Sequence, residues 1–302
     1  MRTLLGAPGT WLLWLAPVLV MNSIRTRPVA EPELVQPGVI STDRNETFPS
    51  VDPIDGSLWF SVYEDDFGKQ VILRAPREDS AWQRPATVSF SGPEWGDRAP
   101  RFSPHGERLY FSSSRPTQTS GRGGDYHLWV VERSGGRWGE ARLLPGPVNS
   151  AAGADRHSSE TRGGDLYWSS TRPGGAGRSD IYHARRTTSG WSAVTRLPAP
   201  VNDSLSQPDV LVSPDGSWMI LVVTDHPRGL GGDDLLISRP ENGRWSAPRP
   251  LPAPINSPEY EYGPSLSPDR RVLYFTSHRR GTADVYRIPV TALDATGQDD
   301  SR

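Results

Sequence analysis

The 302-residue chain contains no cysteine. This excludes a disulfide framework, a thiolate metal site, a cysteine nucleophile and a lipid-modified cysteine anchor. An excess of either charge is also missing. Basic residues number 33 and acidic residues 35, a formal net charge of −2. There is no electrostatic case for a nucleic-acid partner. After residue 30 no stretch keeps a 3.6-residue apolar period, so amphipathic helices are not expected. Hydrolase and phosphate-binding signatures are absent: no Gly-x-Ser-x-Gly elbow, no His-Glu-x-x-His and no phosphate loop occur. The six histidines (His105, His127, His157, His183, His226 and His278) are scattered and read as satisfied singletons. No Asp-rich loop supports calcium, and neither a metal nor another cofactor is expected.

What the chain does have is 30 glycines, 30 prolines, 11 tryptophans and 9 tyrosines. Frequent Gly and Pro break helices, and aromatic side chains suit pleated, half-buried surfaces. At the N-terminus, Arg2 precedes an apolar stretch from Leu4 to Met21. A charged start before an apolar core is the export-signal pattern, so residues 1–30 are read as a signal peptide or an N-terminal membrane anchor. Arg25 and Arg27 follow that stretch, which keeps the anchor reading open.

The body of the chain is periodic. A tight turn recurs at a spacing of about fifty-four residues. It reads Asp52-Pro53-Ile54-Asp55-Gly56, Ser103-Pro104-His105-Gly106, Ser213-Pro214-Asp215-Gly216 and Ser267-Pro268-Asp269-Arg270, with a degenerate copy at Glu160 to Asp165. An aromatic run follows each turn, as in Leu109-Tyr110-Phe111-Ser112. Then come an Asp before an apolar pair (Asp180-Ile181-Tyr182), a Gly-Trp turn (Gly190-Trp191) and a link such as Leu197-Pro198-Ala199-Pro200-Val201-Asn202. These signals divide each unit into four short strands, a to d, as in a propeller blade.

The last unit stops after strand c, near Pro289. Residues 33–41, with Leu34-Val35-Gln36-Pro37-Gly38-Val39-Ile40-Ser41, match the link sequence and supply a strand d from the other end of the chain. Sharing one blade between the termini removes two open sheet edges. The expected fold is therefore all-β, a single five-bladed propeller of four-stranded blades over residues 31–292, with six blades as the alternative. Residues 293–302 are expected to form a disordered tail.

Pro-x-Phe-Ser-Pro-x-Gly-x-x-Leu-Tyr-Phe-Ser-Ser-x-Arg, then Asp-Ile-Tyr, Gly-Trp and Leu-Pro-x-Pro-Val-Asn resemble the WD40-like propeller repeats of the TolB family. The variant is most similar to repeats found beside OmpA-type envelope proteins. The resemblance implies a periplasmic or secreted, non-catalytic platform with an envelope protein or glycan as partner; a monomer is expected. The pattern departs from TolB's own: no separate N-terminal domain and one blade fewer are expected.

A role repeated around a ring is a blade-building role. The turn Asp residues, the strand-c Asp and Trp82, Trp138, Trp191 and Trp245 are accordingly read as structural. Chain direction puts the d-to-a links and b-to-c loops on one face, called the top. Strand a starts there with Glu46, Asp97, Asp155 (beside Ala154), Gln207 and Glu261, expected to ring the channel mouth with Arg98 and Arg156 adjoining. Arg115, Arg122, Arg172 and Arg279 stand in the top loops. This polar rim is the expected ligand-binding surface. The runner-up is a carbohydrate-active hydrolase with Glu46 or Asp97 opposite Glu261.

Overall fold

The computed structural model describes residues 30–63, 69–117 and 125–296. The expected export segment and Arg122 lie outside the described residues. No helix among the described residues is long and apolar enough to cross a membrane.

The chain forms five antiparallel blades. Blade 1 has strands a (Asn45–Val51), b (Leu58–Tyr63), c (Val71–Ala75) and d (Ala86–Thr87). Blade 2 uses Asp97–Phe102, Arg108–Ser113, His127–Ser134 and Arg142–Leu143. Blade 3 uses Asp155–Glu160, Asp165–Ser170, Asp180–Thr187 and Thr195–Arg196. Blade 4 uses Ser206–Val212, Met219–Thr224, Asp233–Ser238 and Arg249–Pro250. Blade 5 has Glu261–Leu266, Val272–Ser277 and Asp284–Pro289 as strands a to c. Its strand d is Glu33–Leu34, with Glu33 opposite Arg287 and Leu34 opposite Tyr286. The shared-blade closure is therefore present, and the ring has five blades.

Local chemistry explains the repeats. Asp55, Asp215 and Asp269 accept hydrogen bonds from the amides of Ser57, Ser217 and Arg271, which tightens the a-to-b turns. Each link asparagine ties its link to strand c. Asn202 accepts from Ile181 N at 2.7 Å and donates to the carbonyls of Ile181 and Leu197; Asn149 and Asn256 repeat the pattern. Ser41 stands in that place in the closing segment and donates to Val285 O.

The core is distributed over the five blade interfaces. Trp59 and Ile72 of blade 1 pack on Leu109, Phe111 and Val131 of blade 2, and comparable clusters fill each later interface. Val35 and Ile40 close the cluster between blades 5 and 1. Each turn tryptophan packs toward strand b of the preceding blade: Trp82 on Tyr274, Trp138 on Trp59, Trp245 on Tyr167, and Trp191 in the cluster holding Tyr110. The chain stays packed beyond residue 292. Val290–Thr296 form a 3-10 helix that buries Ala292 and Leu293 against blades 4 and 5; the rest of the expected tail lies outside the described residues.

Deleting residues 31–42 removes strand d of blade 5 and the apolar plug at the seam. The expected outcome is aggregation or a melting temperature lowered by well over ten degrees; a monomer melting unchanged would refute the shared blade. Trp59 is 1% exposed, and Trp59→Ala should cost about 3–5 kcal/mol in chemical denaturation.

Candidate functional site at the channel mouth

Every strand a is irregular. Its register against strand b shifts between Thr47 and Ser50, Arg98 and Arg101, Arg156 and Ser159, Ser206 and Asp209, and Tyr262 and Ser265. These are bulges, which bend a strand and re-aim its side chains. In four blades one residue takes a left-handed backbone: Phe48 (φ 54°), Ala99 (φ 55°), His157 (φ 51°) and Gly263 (φ 66°). Such angles are uncommon for residues other than glycine and need compensation. A side chain of the preceding blade provides it by accepting the bulge amide: Thr276 for Phe48, Ser61 for Ala99, Ser112 for His157 and Asp209 for Gly263, at 2.9–3.1 Å.

Alternation along strand a then decides what faces the channel. The strand-a acids do not ring its mouth. They point into the blades and are almost fully buried. Glu46 accepts from Thr42 N and Oγ1 at 3.1 and 2.5 Å and lies at the seam between blades 5 and 1. Asp97 pairs with Arg115 at 2.8 Å. Asp155 accepts from Ser150 N, Trp168 Nε1 and Arg172, the last at 2.6 Å. Glu261 accepts from Ser257, Ser277 and Arg279. Gln207 donates to Asp203 at 2.9 Å. Burial raises the pKa of Glu46 and Asp97.

The loop arginines turn inward with them. Arg172 and Arg279 also donate to link carbonyls, of Val148 and Ile255, and lie over Tyr182 and Tyr286 at 4.7 and 4.8 Å. Arg115 donates to Phe90 O as well. Arg115, Arg172 and Arg279 thus link strand a, strand b and the incoming link within their own blades. One residue further along strand a, Arg98 does face the channel, and half-buried Arg156 is near enough to disfavour its charge.

The channel mouth holds a cavity of about 510 Å³, lined by residues of all five blades. Its floor is the bulge layer. Phe48 lies 4.7 Å from the His157 ring and 5.2 Å from Tyr262. Below it, Arg101 of blade 2 reaches Asp209 of blade 4 at 3.7 Å, with both side chains buried. Burial raises Asp209 to about 6, against the pull of Arg101 and the amides of Val210 and Gly263. The walls carry Tyr63, Gln70, Arg98, Asp233, Tyr260 and His278. Burial also raises Asp233. Three residues lining this cavity carry a buried atom with no partner: Gln70 at Oε1, Arg98 at Nε and His157 at Nε2. A larger cavity of about 690 Å³ at the seam is lined by none of the unpartnered buried atoms among the described residues. No group of three or more metal-ligating side chains occurs among the described residues.

Of the residues expected at the mouth, Arg98 lines this cavity; Tyr63, Gln70, Asp209, Asp233, Tyr260, Tyr262 and His278 line it without having been singled out as site residues in the sequence. Each occurs in a different loop or strand, so no repeated pattern announces them.

The chain matches no protein-family profile and no curated protein. Among solved structures it is similar to a thermostable family-43 glycoside hydrolase, at 10% identity and a TM-score of 0.52 over 86% of this chain and 91% of that one. It is similar to a protein of unknown function from Dyadobacter fermentans, at 13% identity and a TM-score of 0.52 over 89% of this chain and 85% of that one. A putative TolB from Agrobacterium tumefaciens aligns at 14% identity and a TM-score of 0.49, over 82% and 78% of the two chains. The chain spans about a third, 32%, of the length of a prolyl endopeptidase that it also matches. At these identities the likeness is one of fold: a β-propeller.

Two outcomes test this geometry. Removing Arg172 strands the buried Asp155 carboxylate, so Arg172→Ala should lower stability by about 3 kcal/mol in urea, the low end for breaking a buried ion pair. Arg228→Ala, in an exposed stretch of loop, should stay within about 0.5 kcal/mol. Asp209 has a folded pKa of about 6 against an unfolded value of about 3.9. Between those values the folded chain binds more protons, so this group's contribution to stability falls as pH rises from about 4 to about 6 and is flat above. The difference in urea stability between parent and Asp209→Asn should therefore drift across that window; a constant difference would refute the raised pKa.

Proposed function

We propose that this propeller is a non-catalytic binding module of the cell envelope that takes its ligand in the channel-mouth cavity. The observation that carries the reading is a cavity of about 510 Å³ at the channel mouth, lined from all five blades, three of whose residues carry a buried polar atom with no partner. Cavities of this size, largely apolar with a few polar groups, are where small ligands bind. Export is supported by the N-terminal pattern, and an envelope partner, protein or glycan, by the TolB-like repeats.

A second reading has one observation in its favour. Asp209 and Asp233 line the same cavity, and burial raises both. Two carboxyls in one cleft are the minimum for glycoside hydrolysis. The carboxylates first considered for that role, Glu46, Asp97 and Glu261, are engaged inside their blades.

Isothermal titration with a panel of soluble envelope glycans and peptides should reveal saturable binding that Arg98→Met and Tyr260→Ala weaken without lowering the melting temperature. The parent should not cleave aryl glycosides or peptide anilides. Turnover that disappears in Asp233→Asn would replace the binding-module reading with the hydrolase.

A further inference from the structure

The unpartnered atoms also specify what kind of molecule fits, if the channel-mouth cavity is the binding site. Arg98 is the cation of the set. The Tyr126 ring covers one face of its guanidinium at 3.8 Å, which leaves the N–H edge as the interacting surface. No carboxylate among the described residues forms an ion pair with it. Asp209, whose field it feels, is held by Arg101 and by the amides of Val210 and Gly263. Burial depresses Arg98 to about 10, so an anion placed on that edge recovers charge stabilisation the free protein lacks. A planar guanidinium edge suits a carboxylate, which it can bind through two parallel hydrogen bonds.

The other two atoms ask for donors. His157 Nδ1 lies 2.7 Å from the carbonyl of Pro208. A carbonyl only accepts, so the proton sits on Nδ1. Burial beside Arg98 and Arg156 keeps the ring neutral. His157 Nε2 is therefore a bare acceptor, and so is Gln70 Oε1. Around them stand Tyr63, Tyr260 and Tyr262, with Tyr260 49% exposed at the rim. Its ring approaches Gly232 so closely that a Cβ there would meet Tyr260 Cε1 at 2.4 Å. Aromatic faces of this kind stack on the C–H faces of sugar rings.

We propose that the cavity binds an acidic sugar, a pyranose carrying a carboxylate. The carboxylate sits on Arg98, ring hydroxyls face the Gln70 and His157 side of the cavity, and Tyr260 covers an apolar ring face. A cavity of about 510 Å³ admits one or two such residues, which fits the terminal unit of an anionic glycan. A peptide C-terminus shares the carboxylate but not the set of hydroxyl donors, and is the competing occupant.

The test titrates the purified propeller with glucuronate and galacturonate, their methyl esters, glucose and galactose, and N-acetylalanine. Expected is saturable binding of at least one uronate, weakened tenfold or more in its methyl ester and in the matching neutral sugar. The ester changes the ligand alone, so this result does not depend on any variant folding. Arg98→Met should lose the same factor and no longer distinguish acid from ester. Gln70→Leu should weaken the acid and the ester alike. Equal binding of acid and ester, or tighter binding of N-acetylalanine than of either uronate, would overturn the sugar-acid assignment while leaving the cavity as a binding site. If none of these compounds binds the parent, the assignment also fails; if the glycan and peptide panel is silent too, the binding-module reading fails with it.

Discussion

The bulge in strand a is the constraint on which the rest of the molecule depends. Five strands converge on one axis, and regular strands would alternate strictly between blade and channel. The bulge suspends that alternation once per blade, so that Arg98 and Arg101 both face the channel although they are three residues apart. The left-handed residues it requires would be costly alone. They persist because the preceding blade holds each bulge amide with a hydroxyl or, at Gly263, a carboxylate. The inner ring is thus a set of mutual supports, and closure by Glu33–Leu34 is what lets blade 5 support blade 1.

Arginine does most of the electrostatic work. The chain has one lysine, Lys69, against 32 arginines. The choice follows from what these side chains do. Arg172 and Arg279 each bond a carboxylate, two link carbonyls and a serine while lying over an aromatic ring. A planar fork can do this and a point ammonium cannot. Arg133 stacks on Trp138 and pairs with Asp52 across the interface of blades 1 and 2. Arg98, by contrast, lines the channel-mouth cavity without an ion-pair partner among the described residues.

The fold was legible in the sequence because it is written five times. Turn, aromatic run and link recur at one spacing, and even the shared strand is readable, since Leu34 to Ser41 repeat the link. The site was not legible for the same reason. Ser113-Ser114-Arg115, Ser170-Thr171-Arg172 and Ser277-His278-Arg279 recur in three blades, and recurrence was the available sign that these arginines build blades. The strand-a acids carried the same sign. Placing them on the channel was an error of one residue, which in a strand is an error of one face. The bulged residues themselves have no sequence mark: Phe48, Ala99, His157 and Gly263 share no side chain, because the requirement is met by a neighbour's hydroxyl or, at Gly263, by the Asp209 carboxylate. The cavity residues each occur once, and only the closed ring brings Gln70 of blade 1 beside Arg98 of blade 2 and Tyr262 of blade 5.

Where the repeat fails, the channel acquires its floor. Ser61, Ser112, Ser169 and Thr276 give four blades a hydroxyl at one position of strand b, but blade 4 has Val222 there. The amide of Gly263 then needs another acceptor. Asp209 supplies it, since the irregularity in its own strand turns it toward the axis. A buried carboxylate requires a countercharge or a proton. Arg101 answers from the far side of the channel, held in place by the carbonyl of Pro49. That cross-channel pair and the Phe48–His157 contact above it close the pore beneath the mouth. An open tube would be filled with water and would solvate Gln70 and His157 from below. With these contacts beneath them, Gln70 and His157 become walls of one cavity whose remaining lining is drawn from every blade.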